Sequence, residues 1–111
     1  MIAIEDVRAR IRGHALVLGV DKVPKGHIRL ETAFTYHGGG SIDLFLRCDR
    51  PTLTLSDLGQ TATMLSHLWD MNMECGILEM ELNSLDDLLA GIEKLGREAA
   101  RITEGRGPGM T

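Results

Sequence analysis

Residues 27–48 read HIRLETAFTYHGGGSIDLFLRC, two segments that alternate polar and apolar residues on either side of three consecutive glycines. A period of two places successive side chains on opposite faces of a strand. In the second segment one face carries Ile42, Leu44, Leu46 and Cys48, and the other carries Asp43, Phe45 and Arg47. The glycines accept positive φ angles, which favours a tight reversal between the strands. This stretch therefore predicts an antiparallel hairpin at the centre of the fold.

Shorter segments on both sides extend the hairpin into a β-meander. Strands are predicted over residues 15–20 and 52–55, with turns at 21–26 and 49–51. A later strand is predicted over residues 77–82, where apolar residues alternate with Glu79 and Glu81. The sequence thus favours a mainly antiparallel sheet made of a meander and one later strand.

Three segments show helical periodicity. The first covers residues 3–12, and the second begins at a cap formed by Ser56 or Asp57. The third begins at Ser84, which with Asp87 resembles a capping box, and its apolar residues repeat at helical spacing as far as residue 102. The predicted order is α-β-β-β-β-α-β-α, an α+β domain over residues 1–104 with its helices packed on the sheet, followed by a flexible tail over residues 105–111.

Composition excludes several protein classes. The chain has 111 residues, of which 43% are apolar and 25% are charged, so it has enough apolar residues to build one folded domain. No apolar run is long enough to cross a membrane, and no secretion signal is apparent. The two cysteines, Cys48 and Cys75, are therefore expected to be reduced thiols in a cytoplasmic protein.

Charge is distributed unevenly along the chain. Residues 51–93 contain eight acidic residues and neither Lys nor Arg, a net charge of −8 in a chain whose total is −4. An acidic surface attracts basic partners and repels nucleic acid, whereas a merely solvated acidic face keeps a protein soluble. The candidate partner-binding residues are Asp70, Glu74, Glu79, Glu81, Asp86 and Asp87.

Residues 31–45 and 55–61 carry a family resemblance. They resemble the signature of a small prokaryotic family of unknown function, which reads approximately E-T-P-F-x-Y-x-D-G-x-S-I-D-L-Y/F and then L-T/S-D-x-G-Q/E-T. The positions where this pattern is tightest are Tyr36, Gly38, Gly40, Asp43, Asp57 and Gly59. Ala33 replaces the usual proline, and the segment between Trp69 and Gly76 looks shorter than in the family. The family occurs in bacteria, prophages and phages, so the resemblance implies a mobile-element setting and no particular reaction.

No motif in the chain specifies a catalytic or metal site. The four histidines form no pairing at metal-ligand spacing, and no cofactor motif is present. A nuclease of the restriction-endonuclease kind could use Glu5 or Asp6 together with Asp43, but residues 52–55 lack the carboxylate and lysine that its metal chemistry needs. Asp43 is expected to pair locally with Arg47, and Asp57 to cap a helix.

Direct binding of nucleic acid has one candidate surface. It would combine Arg8, Arg10, Arg12 and His14 with Lys94, Arg97 and Arg101. A sequence pI of about 5.5 and the small number of aromatic residues argue against it.

We predict a non-enzymatic protein that binds and inhibits a host protein. The expected partner is a defence effector, of a CRISPR or restriction system, whose basic groove normally holds nucleic acid and would accept an acidic surface instead. One alternative is a homodimeric regulatory or assembly module that uses an edge strand or the last helix, where Gly91 and Gly96 permit close approach or serve internal packing. The other alternative is an inactive relative of the nuclease fold.

Overall fold

The computed structural model describes residues 3–36, 38–47, 49–63 and 77–104. The helices and strands, in chain order, are α1 (Ile4–Ile11), β1 (Val17–Lys22), β2 (Ile28–Thr35), β3 (Ser41–Leu46), β4 (Thr54–Ser56), α2, β5 (Glu79–Glu81) and α3 (Leu88–Glu104). Helix α2 begins at Gln60 and is described over residues 60–63. Cys48, Cys75, the predicted tail at 105–111 and most of the second predicted helix lie outside the described residues. The order of elements confirms the predicted α+β fold.

The sheet has five antiparallel strands in the order β1-β2-β3-β4-β5. Its centre is the predicted hairpin, in which Leu30 pairs with Leu44 and Glu31 with Asp43. At the reversal the Tyr36 N–H donates to the Gly40 carbonyl over 2.8 Å, while Gly38 and Gly39 have φ angles of 105° and 101°. Two of the three glycines therefore provide the positive φ angles that the sequence predicts.

One face of the sheet forms the core with α1 and α3. Side chains at alternate positions of β2, β3 and β4 are buried there, among them Leu30, Ile42, Leu44 and Leu55. The core also contains Val7 and Ile11 of α1 and Leu88, Ile92, Leu95 and Ala99 of α3. This packing is the physical basis of the fold, because burial of aliphatic side chains is its main favourable contribution.

Gly91 and Gly96 serve internal packing. A Cβ atom at Gly91 would lie 2.8 Å from Cδ2 of Leu82, and a Cβ atom at Gly96 would lie 2.8 Å from Cε2 of Phe34. Both glycines therefore let α3 approach the sheet closely. Of the two interpretations that the sequence allows, this is internal packing and not contact with a second copy.

Several element ends differ from the prediction. A 3₁₀ turn at Leu85–Asp87 precedes α3, and the Ser84 hydroxyl accepts from the Asp86 N–H over 3.2 Å. The predicted capping box is therefore wrong, because the Ser84 hydroxyl bonds to the N–H of Asp86 and not to that of Asp87. Ser56 belongs to β4 because it pairs with Phe45 on one side and Glu79 on the other, so it is not a helix cap. Across the described ranges, no helix combines the length and apolar character that crossing a bilayer requires.

Candidate functional site

The sheet face opposite α1 and α3 carries a group of charged side chains. Strand alternation places those of the strands there, since the register aligns Asp21 with Arg29, Arg29 with Phe45, and Ser56 with Glu79. Asp49 and Arg50 follow β3 and join the group through ion pairs with Arg47 and Glu79. The charged residues are Asp21, Arg29, Glu31, Asp43, Arg47, Asp49, Arg50, Glu79 and Glu81. We call this set the charged sheet face.

Arg29 is the centre of one cluster on this face. Its Nη1 lies 3.1 Å from Oδ2 of Asp21, its Nε lies 3.1 Å from Oδ2 of Asp43, and its Nη2 lies 3.6 Å from Oε1 of Glu31. The hydrogen bond to Asp43 is the largest cause of a raised pKa of the Arg29 guanidinium. The second oxygen of Asp43, Oδ1, has no hydrogen-bond partner among the described residues. One cation is thus shared by three carboxylates.

Arg47 is the centre of a second cluster. Its Nη2 and Nε donate to the two Asp49 oxygens over 2.7 and 2.8 Å, and its Nη1 donates to Oε2 of Glu79. Arg50 Nη2 lies 3.5 Å from the other Glu79 oxygen. Hydrogen bonds from Arg47 lower the pKa of Asp49 to about 2. Burial raises the pKa of Glu79, but hydrogen bonds from Arg47 and Ser56 outweigh that effect and its pKa is lowered.

Carboxylates outnumber cations on the charged sheet face. Six acidic side chains and three arginines give it a net charge of −3. Phe45 and Ser56 are buried between the two clusters, so the face is not uniformly charged. The arrangement holds its own arginines with carboxylates and leaves negative charge in excess, which is suited to a basic partner surface.

The six residues predicted from the acidic block are not gathered on one face. Asp70 and Glu74 lie outside the described residues. Glu79 and Glu81 are on the charged sheet face, whereas Asp86 and Asp87 lie in the turn before α3, which packs beside α1 on the other side of the sheet. Asp86 forms an ion pair with Arg10 of α1.

Sequence reasoning missed four of the acidic residues as binding candidates. They are Asp21, Glu31, Asp43 and Asp49, all of which lie outside the acidic block. Counting charges in a block of sequence misses them because it ignores which strands become neighbours. The period-two alternation that places Asp43 and Arg47 on one side of β3 was the available signal. The expected local pairing of Asp43 with Arg47 is wrong, since Asp43 pairs across the strands with Arg29, and Arg47 pairs with Asp49 and Glu79.

Three signature residues meet at a different place, around the buried carboxylate of Asp57. Its Oδ1 accepts from the N–H groups of Gly59 and Leu78 over 2.8 and 3.0 Å, and its Oδ2 accepts from the Thr61 N–H over 3.1 Å. The Tyr36 hydroxyl lies 3.3 Å from that of Thr61, and burial raises the pKa of Tyr36. We call this arrangement the Asp57 junction.

The Asp57 junction is a structural element. Asp57 accepts a hydrogen bond from the Thr61 N–H in the first turn of α2, as the predicted cap would. It lies in the loop before the helix, however, and its carboxylate also accepts from the N–H of Leu78, next to β5. Gly59 adopts a φ of 82°, and Gly38 and Gly40 belong to the hairpin reversal. Of the signature residues, only Asp43 lies on the charged sheet face.

The nuclease alternative requires a cluster of metal-binding side chains. Within the described ranges, no group of three or more His, Cys, Asp or Glu side chains is placed to hold a metal ion. Asp43, the central carboxylate of that hypothesis, forms an ion pair with Arg29. On the following strand, β4, the residue opposite Phe45 is Ser56, which is neither the carboxylate nor the lysine that the hypothesis needs. The described side chains therefore offer no arrangement for two-metal phosphodiester chemistry.

The arginines predicted as a nucleic-acid surface are largely engaged within the molecule. Arg10 pairs with Asp86, Arg97 lies 3.5 Å from Glu93, and Arg101 pairs with Glu98. The exposed positions of α3 are occupied by Ala90, Glu93, Lys94, Arg97 and Arg101, so its described part shows no apolar stripe for a partner helix.

Comparison with known proteins adds no assignment. No family model, no curated protein and no solved structure matches this chain. The resemblance to the small prokaryotic family stays a prediction.

Proposed function

We propose that this protein is a non-enzymatic binding protein whose charged sheet face engages a basic surface of another protein. The observation that supports it is the excess of carboxylates on that face, six against three arginines, with five of the six in ion pairs with those arginines. Because the arginines are already neutralised by neighbours, an approaching cationic surface meets a face with an excess of negative charge. Such a face favours fast association with basic partners.

The partner we propose is a cytoplasmic host protein that handles nucleic acid. Its basic groove normally holds phosphates, and a rigid face of negative net charge competes for the same groove. The resemblance to a phage and prophage family supports the narrower proposal of an inhibitor of a defence system. In this proposal binding is inhibition, and no chemical step is required of the protein.

A pair of matched variants tests the role of the charged sheet face. Glu31→Lys with Glu81→Lys changes that face, and Glu93→Lys with Glu98→Lys changes α3, on the other side of the sheet. Each double variant raises the formal net charge from −4 to 0, so the two are matched in net charge and differ in which surface carries the change. Thermal melting of both variants checks that they remain folded.

The measurement is capture of host proteins on the immobilised wild type and on both variants, with quantification by mass spectrometry. We expect basic nucleic-acid-handling proteins on the wild type and on the α3 variant, their loss from the sheet-face variant, and their displacement by added duplex DNA. Equal capture by the two folded variants, or capture that DNA does not displace, would contradict the proposal.

A further inference from the structure

The free edge of β1 lies at one end of the sheet, beside α1. β1 pairs only with β2 among the described strands, so its other side has no strand neighbour there. The Val20 carbonyl accepts from Nη2 of Arg8 over 3.2 Å and therefore points away from β2. Since both backbone groups of a residue point to the same side of an antiparallel strand, the Val20 N–H points to the free edge as well.

A groove runs between this edge and α1. Its volume is about 280 Å³, and Ile11, Val17, Leu18 and Val20 give it an apolar wall. Leu18 is 63% exposed, so its side chain is accessible to an occupant of the groove. The combination of an edge strand and an apolar wall is one to which an extended peptide can bind.

Two cations line the same groove. Arg8 and Arg12 both border it, and neither forms an ion pair with a carboxylate of the described residues. They differ in this from Arg10, whose charge is balanced by Asp86. The groove is thus complementary to an anionic occupant.

We propose that the β1 edge binds an extended acidic segment of a partner protein as an added strand. An N–H of the segment replaces Arg8 at the Val20 carbonyl, and Arg8 and Arg12 bind a carboxylate of the segment. An apolar side chain of the segment packs beside Ile11 and Leu18. This site is separate from the basic-surface recognition proposed above, and neither depends on the other.

Two features of β1 make the site selective. A β-bulge at Leu18 interrupts the register between Val17 and Gly19, and the Arg8 guanidinium occupies the Val20 carbonyl. Bulges and charged side chains are the devices that prevent indiscriminate pairing at sheet edges. A strand without a carboxylate displaces Arg8 from the Val20 carbonyl and leaves the guanidinium without a new acceptor. A strand with a carboxylate replaces the lost hydrogen bond of Arg8 with a charge-assisted one.

The opposite side of the added strand meets different neighbours. Asp21 lies on the charged sheet face next to this edge, so acidic side chains pointing that way are disfavoured. The segment should therefore alternate, with apolar and acidic residues towards α1 and neutral residues towards Asp21. A suitable probe is the capped peptide TVTETVT, and its matched control is TVTKTVT.

The test measures binding of both peptides to the whole protein by fluorescence anisotropy. We expect the glutamate peptide to bind at least about tenfold more tightly than the lysine peptide, the size of one charge-assisted hydrogen bond. Arg12→Ala should weaken the glutamate peptide about tenfold, and the matched change Arg97→Ala on α3 should leave its affinity unchanged. Equal affinity for the two peptides, or equal effects of the two arginine changes, would overturn the proposal.

Val20→Pro tests the strand-pairing mode directly. Proline removes an N–H that points to the free edge and leaves the bonds between β1 and β2 in place, a position where edge strands tolerate it. We expect loss of peptide binding with an unchanged circular dichroism spectrum and a melting temperature within a few degrees of the wild type. Full binding by the folded variant would overturn the proposal, as would failure of the wild type to bind the glutamate peptide at millimolar concentration. A wild-type dimer that Val20→Pro converts to a monomer would show that a second copy occupies the edge instead, and would also overturn it.

Discussion

The two faces of the central hairpin are built from the same two strands, by residues that are neighbours in the sequence. On one face Leu30 and Leu44 pair at full burial inside the core. On the other, Glu31 and Asp43 pair and share Arg29. The comparison teaches that a strand can carry folding and recognition at once, provided its register is fixed, because a slip of one residue would exchange the two faces.

The largest expected effect comes from the core side of this comparison. Leu44→Ala should lower the free energy of unfolding by about 3 kcal/mol, because it leaves a cavity in a fully buried position. Asp43→Ala, its neighbour on the other face, should cost about 1 kcal/mol, since Arg29 keeps Asp21 and Glu31. Urea denaturation at pH 7 measures both. Equal costs would show that the charged sheet face is as important to folding as the core.

The alternation that separates the faces and the helical periodicity of three other segments are both visible in the sequence, and together they predict the fold class and the order of elements. They do not predict the element ends, because Ser56 becomes a strand residue only when Phe45 and Glu79 lie on either side of it. The composition of the charged sheet face depends in the same way on cross-strand neighbours. Asp21 and Arg29, eight residues apart in the chain, meet only through the register of β1 and β2.

The second effect tests whether a buried polar group can matter as much as the core. Asp57→Ala should lower the free energy of unfolding by about 2 to 3 kcal/mol, because three backbone N–H groups lose their acceptor. Asp57→Asn keeps one acceptor oxygen and should cost less. Urea denaturation of both variants, with the exposed change Glu81→Ala as control, decides this. If Asp57→Ala were as stable as the control, the Asp57 junction would contribute nothing measurable to the stability of the fold.

A third change tests the close packing of α3 against the core face of the sheet at Gly96. Gly96→Ala should cost about 1 to 2 kcal/mol, because the new methyl group collides with the Phe34 ring. Lys94→Ala on the exposed side of α3 is the matched control and should change stability little. Combining Gly96→Ala with Phe34→Leu should cost less than the sum of the two single changes, as measured by a double-mutant cycle in urea. Strict additivity would mean that the two side chains do not compete for the same space.

The smallest effect lies on the charged sheet face and depends on pH. The pKa of Asp49 is about 2 in the folded protein, below its ordinary value of 3.8, so the unfolded chain binds more protons between these values. The stabilisation is therefore present above about pH 4 and is lost as pH falls towards 2. Melting temperatures from pH 5 to 2 should show Asp49→Asn slightly less stable at the upper end and equal to the wild type at the lower end. A constant difference across this range would contradict the assignment to the Arg47 ion pair.

The Asp57 junction also has a consequence for how the chain tolerates changes in length. One carboxylate binds Gly59 and Thr61 on one side and Leu78 on the other, so it fastens together the two ends of the connection between β4 and β5. The entropy of closing such a loop grows slowly, by about 0.6 kcal/mol for each doubling of its length. With its ends fastened, this connection is a place where insertions and deletions can accumulate during evolution while the sheet and its two faces are inherited unchanged.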